Sequence, residues 1–252
     1  MRRSVAIHHN KPSVRIAAMA LRGSYAKGIA KRDEITYKAL EVIADQGING
    51  ASIKELAAAV NLSQAGLLHY FASKEDLFIH ILRARDTADV RRVVATLSEH
   101  DQHAVLSDTE VVEHGELAAL RLAYLRLCHN DVNLALRAFL DLIEHNQKVP
   151  GLVELFSRMS TAAADPQSLA HEYFADRGNQ VRQSFAEIFS ELQRQGRIDP
   201  HADPQVLATV LQAISDGLQL QSLVDPDLNM VENVTGFLKA VIADFEAEVL
   251  NA

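Results

Sequence analysis

The sequence predicts an all-α fold: a small N-terminal head of three short helices that holds a helix-turn-helix, then a larger helical body. Three observations predict it. Apolar residues recur at helical spacing along most of the 252 residues, with no stretch that alternates in the period of a strand. Only 6 Pro and 11 Gly interrupt a chain rich in Ala and Leu, which lose little on entering a helix. Between Gly47 and Asp76, helix-stopping and helix-capping residues follow one another closely, as short helices joined by turns require.

Charge divides the chain in the same place. Residues 1–80 carry 11 basic and 7 acidic side chains, and residues 81–252 carry 14 and 26, so +4 and −12 sum to the net −8. A basic head on an acidic body suits a chain that meets a polyanion at one end. The single cysteine, Cys128, excludes an internal disulfide and a cysteine-cluster zinc site. No apolar run is long enough to span a bilayer, and His8, His9, Asn10 and Lys11 interrupt any signal-peptide core, so a cytoplasmic location without membrane partners is expected.

Residues 1–29 read as a mostly mobile basic tail, either reaching along phosphates through Arg2, Arg3, Lys11, Arg15, Arg22 and Lys27 or without a specific role. The head spans 30–76. Its first helix places Ile35, Ala39, Leu40 and Ile43 on one face, and Gly47 stops it. Ser52-Ile53-Lys54-Glu55 is a capping box, with Ile53, Leu56, Ala57 and Val60 as the apolar face behind it. Asn61-Leu62-Ser63 is a turn: Asn tolerates left-handed backbone, and Ser63 caps a short helix from Gln64 to Tyr70. The pair at about 53–71 makes the helix-turn-helix. Ser73 then opens a long helix through Leu77, Ile81 and Leu82 toward Val94.

The body spans 77–252. A loop is expected at 98–114, with amphipathic helices at 116–130, 131–147, 151–164, 169–196, 204–224 and 230–250.

The second helix of a helix-turn-helix offers its N-terminal residues to base edges. Gln64 has the amide that pairs with adenine, Ala65 suits a thymine methyl, and Gly66 admits either close backbone approach or close packing. Lys74, in the first turn of the next helix, is placed for a phosphate, as are Lys54, Ser52 and Ser63, whose other role is capping. His100, His103, His114 and Cys128-His129 do not make a convincing metal set. No nucleophile elbow, phosphate-cradling glycine loop or His-Glu-x-x-His occurs, so neither enzyme activity nor a cofactor is expected.

The stretch from Lys31 to Phe78 resembles the TetR (tetracycline-repressor-like) transcriptional regulators. The resemblance is carried by Ile35, Ala39, Gly47, Ser52-Ile53, Leu56-Ala57, Asn61-Leu62-Ser63 and Gly66-Leu67-Leu68-His69-Tyr70-Phe71-Ala72-Ser73-Lys74-Glu75-Asp76-Leu77. Gln195-Gly196-Arg197-Ile198, Ala213–Leu218 and Val224-Asp225-Pro226 are similar to the dimerisation region of many members. The resemblance implies a homodimer through helices at about 204–224 and 230–250. It also implies a palindromic double-stranded DNA operator and a body that binds a small-molecule effector and releases the DNA. Family members commonly carry Tyr where this chain has Leu68, so His69 or Tyr70 takes over the phosphate contact. In the body, Tyr124, Cys128, His129, Phe139, His145 and Phe156 are candidates to line the effector pocket. The rival readings are a constitutive DNA-binding dimer with a pocketless body, and a helical enzyme or metal-binding protein.

Overall fold

The computed structural model describes residues 13–48, 52–95 and 131–250, with side chains from residue 27 onward. Among them there is no strand. Helix α1 runs from Ser13 to Gln46, α2 from Ile53 to Ala59, α3 from Gln64 to Leu68 and α4 from Lys74 to Ala95. In the body, α5 is Val132–Gln147, α6 Pro150–Ala162, α7 Ala170–Arg194, α8 Pro204–Ser222 and α9 Met230–Val241. The expected loop at 98–114 and helix at 116–130 lie outside the described residues.

Two expectations are corrected. The first helix begins at Ser13, so residues 13–29 are helical rather than a tail. Ala17, Ala18, Ala20, Ala26 and Ala30 favour helix by propensity, a signal that a search for apolar periodicity passes over. The last helix does not continue to 250. It ends at Val241; Ile242 is extended and Asp244 is left-handed at φ 57°. The Ala243 N–H donates to the Arg197 carbonyl at 2.8 Å, pinning the break to the turn after α7. A π-helical turn, Glu246–Leu250, then lies along α5, with Val249 fully buried.

Each head helix is capped as its sequence requires. The Ser52 Oγ accepts from the Glu55 N–H at 3.2 Å while the Glu55 carboxylate accepts from the Ser52 N–H at 2.8 Å. Asn61 takes φ 57°, turning the chain from α2 into α3. The Ser63 Oγ accepts from Gly66 N–H, and the Ser73 Oγ from Asp76 N–H, each at 3.0 Å.

Two apolar cores result. The head-side core joins Ile35, Ala39 and Ile43 of α1 to Leu56, Leu67, Phe71, Leu77 and Ile81, then continues into Leu155, Phe156 and Tyr173 of the body. Gly151 makes this junction close. A Cβ there would lie 2.1 Å from the Ile43 carbonyl oxygen and 2.8 Å from Gly47 Cα. The second core fills the body between α5, α7, α8 and α9, with Phe189, Leu136 and Val234 fully buried.

Candidate nucleic-acid interface and ligand cavity

Burial of one side of α3 determines what the other side presents. Leu67 is fully buried beneath it, which leaves Gln64, Ala65, Leu68 and His69 exposed on one face. Ser52, Lys54, Ser63 and Lys74 are also exposed, and Gly66 and Tyr70 are half-buried. The structure therefore leaves at least part of every head residue singled out in the sequence open to a ligand. The two serines are already acceptors in their caps, but a hydroxyl that accepts can still donate, so each keeps an O–H for a phosphate. At Gly66 a Cβ would stand 3.2 Å from the Ser63 Oγ, so glycine gives the cap its room. Leu68 was missed as a face residue: its exposure follows from standing four residues after Gln64, on the same side of the helix.

The probing helix is held from behind. Arg32 reaches Asp76 at 3.1 Å and lies over the Phe71 ring at 5.1 Å, while the Asp76 carboxylate accepts from the Ala72 N–H at 2.9 Å. Lys74 Nζ lies 5.1 Å from the Phe78 ring centre, on the exposed side.

The body encloses a cavity of about 350 Å³. Four helices wall it, three of them with the spacing i, i+3, i+4, i+7. These are Asp86, Asp89, Val90 and Val93 of α4; Arg177, Gln180, Val181 and Ser184 of α7; and Gln212, Ser215, Asp216 and Gln219 of α8. Helix α5 adds Phe139, Leu142, Ile143 and Asn146. Of the expected pocket residues, only Phe139 is brought here. His145 falls off the α5 face that points inward, and its pKa is lowered by burial and then by Arg92 and Lys148. Phe156 belongs to the head-side core, held between the guanidiniums of Arg85 and Arg177 at 4.7 and 4.8 Å. Tyr124, Cys128 and His129 lie outside the described residues, as do His100, His103 and His114.

Sequence reasoning missed the charged part of the wall. Asp86 accepts from Tyr173 Oη at 2.7 Å and Arg177 Nε at 3.2 Å, with Arg85 at 3.3 Å. Burial disfavours its ionisation, but Arg177, Arg85 and the tyrosine hydroxyl outweigh that and hold its pKa below the usual carboxylate value. Asp89 has weaker partners: Arg92 at 3.7 Å and Arg85 at 3.9 Å. Burial pushes its pKa up to about 6 against the pull of Arg85. Burial also raises Asp216. The available signal was polar residues repeating on the inward face of otherwise apolar helices. Among the described residues no group of three His, Cys, Asp or Glu could hold a metal ion, and no helix is long and apolar enough to cross a membrane.

A helix-turn-helix with an open outer face, rigidly seated on a helical body that contains a cavity, defines a class of regulator-like architecture. The comparisons with known proteins identify its family. The family of bacterial regulatory proteins, tetR family, matches residues 35–81, and the BetI-type transcriptional repressor C-terminal family matches 135–245. The chain belongs to the TetR family of transcriptional regulators. It is 32% identical over 74 residues to the HTH-type transcriptional repressor AcnR of Corynebacterium efficiens, covering 29% of this chain and 37% of that protein. With AcnR of Corynebacterium diphtheriae the identity is 35% over 65 residues, covering 26% and 34%. The match thus spans about a third of these relatives' length. Among solved structures, Escherichia coli NemR in its reduced form aligns with TM-score 0.56 and 18% identity, covering 85% of this chain and 97% of that one. A transcriptional regulator from Saccharomonospora viridis in complex with choline aligns with TM-score 0.54 and 22% identity, covering 84% and 97%. These likenesses show the fold.

Proposed function

We propose that this protein is a ligand-responsive repressor that binds a palindromic operator as a homodimer and releases it when a small molecule occupies the body cavity. One observation carries the reading: a single helix serves both sites. Helix α4 packs Leu77, Phe78, Ile81 and Leu82 into the core beneath the probing helix, then turns Asp86, Asp89, Val90 and Val93 into the cavity wall. A ligand that prefers one setting of α4 thereby biases where the head sits, and such couplings are typically about 1–3 kcal/mol and reciprocal.

On the DNA, Gln64 and Ala65 face base edges while Lys54, His69, Tyr70 and Lys74, with the Ser52 and Ser63 hydroxyls, hold phosphates. The dimer is supported by the outer face of α8. Val206, Val210, Ala213, Gly217, Leu220 and Val224 follow a heptad spacing there, and Val224 is 85% exposed. Gly236 and Ala240 on the outer side of α9 let a partner helix come near. The dimer must carry its two probes about 34–36 Å apart, or at a multiple of that, to reach successive major grooves. Reading regulatory DNA in this way places the protein in the cytoplasm.

The test is selection of bound duplexes from a random-sequence library by the full chain, followed by footprinting. Two inverted half-sites at one-turn spacing are expected. Recovery of single half-sites, or of no preferred sequence, would overturn the proposal.

A further inference from the structure

We propose that the body cavity accepts an organic monocation, an amine or quaternary ammonium on an apolar frame, with its charge facing Asp89 and Asp216 and its hydrocarbon against Phe139, Leu142, Ile143 and Phe185. The inference rests on the reading of the cavity as the effector site and assigns the chemical class of that effector.

Charge balance is the first support. Three carboxylates stand in the described wall, Asp86, Asp89 and Asp216, against one guanidinium, Arg177. Arg85, buried just behind, brings the count to three against two. Arg177 and Arg85 are both drawn to Asp86, which also takes the Tyr173 hydroxyl, so Asp86 is fully engaged. The excess negative charge falls on the other two.

Asp89 is only 8% exposed and accepts no hydrogen bond among the described residues. Arg85 and Arg92 stop short at 3.9 and 3.7 Å, and Arg92 is half in solvent. Asp86 on the same helix repels it, and Arg177 attracts it from α7 at longer range. Asp216 has the neutral amide of Gln212 and the distant charges of Arg177 and Arg85. A carboxylate held in a low-dielectric wall without a full partner is costly. The raised pKa values of both groups express that cost. A cation in the cavity removes it; an anion adds to it, and a neutral molecule leaves it in place.

The rest of the wall suits the other half of such a ligand. The Phe139 and Phe185 rings meet edge to face with centroids 4.9 Å apart, giving an apolar floor and π-faces that attract an ammonium group. Leu142, Ile143, Val181 and Val93 extend the apolar surface.

The test compares phenylbutylamine, phenylbutanol and phenylbutyrate, which share a frame and differ in charge. Each is titrated into the full-length dimer by calorimetry, with operator affinity measured in the same samples. Phenylbutylamine is expected to bind at least about tenfold more tightly than phenylbutanol, with phenylbutyrate weakest. Asp216→Asn and, separately, Asp89→Asn should abolish the amine's advantage while leaving phenylbutanol binding unchanged, a result that loss of folding cannot imitate. Equal affinity for amine and alcohol, preference for phenylbutyrate, an advantage that survives both substitutions, or no binding of any probe would each overturn the inference. Amine-selective binding with unchanged operator affinity would uphold the ligand class and overturn the effector reading. Operator release by phenylbutyrate alone would do the reverse.

Discussion

The core beneath the probing helix and the interior of the body meet on α4, about one turn apart, and are built on opposite terms. Through Leu82 the helix contributes hydrocarbon to a dry plug shared with α1, α6 and α7. From Arg85 onward it contributes Arg85, Asp86 and Asp89, all buried. A dry plug has one good packing and transmits displacement as a solid does. A charged interior with incomplete partners sits at higher free energy, and a molecule that supplies the missing charge can change it. The difference separates two roles: the plug carries the signal and the charged wall receives it. The contact between them is Phe156, in the plug yet held between the two guanidiniums of the charged cluster.

The largest expected effect tests the plug. Gly151→Val places side-chain atoms where the Ile43 carbonyl and Gly47 already stand, at a junction of two backbones with little freedom to part. A loss of about 3 kcal/mol or more in urea unfolding is expected, since overpacking of this kind forces backbone shifts. Gly217→Ala is the contrast: a Cβ there meets nothing within 4 Å in the isolated chain. In a monomer it should be neutral or stabilising by up to about 1 kcal/mol through helix propensity. An equal loss at both positions would show that the plug is no tighter than the outer face of α8.

The next effects test the charged wall and have opposite signs. Asp86→Asn leaves Arg177 and Arg85 short of their shared carboxylate and should cost about 3 kcal/mol. Its lowered pKa means that Asp86 stabilises the fold above the ordinary carboxylate range, and that this stability is lost as pH falls through it. Asp89 works the other way. Its pKa in the fold, about 6, lies above the ordinary 3.8, so the fold is favoured while it is protonated and loses stability as pH rises between those values. Asp89→Asn should therefore stabilise by about 1–3 kcal/mol above pH ~6 and by nothing below pH ~4. Parallel melts of the two variants across that range measure it, and a destabilised Asp89→Asn at neutral pH would remove the excess negative charge from the account.

The same contrast explains what could be read from the chain. The head was legible because its determinants are local: Ser52 and Glu55, Asn61, Ser63 and Ser73 each act within a few residues, and each cap forms as the spacing requires. The body helices were legible from periodicity to within a few residues. The cavity wall was not, because Asp86, Arg177 and Asp216 are 91 and 39 residues apart in turn, and only packing makes them neighbours. Phe156 and Phe139 look alike in sequence, as apolar residues on amphipathic helices; which one lines a cavity depends on helices elsewhere. The break after Val241 was hidden for the same reason, since its hydrogen-bond partner is the carbonyl of Arg197.

The smallest expected effect sharpens the line between residues that position the head and residues that read bases. Lys74 lies over Phe78, a contact worth about 0.5–1 kcal/mol at an exposed site, and the same ammonium remains open to a phosphate. Lys74→Gln should lower operator affinity for all sequences alike and reduce the slope of log affinity against log salt by about one for each half-site, because one fewer counterion is released. Gln64→Ala should leave that slope unchanged and relax the preference at one base position, costing about 1–3 kcal/mol on the preferred site only. The two variants thus separate on axes that a general loss of folding would move together. An unchanged slope in Lys74→Gln would confine that lysine to its ring contact and leave Lys54 and the residues around His69 to hold the backbone.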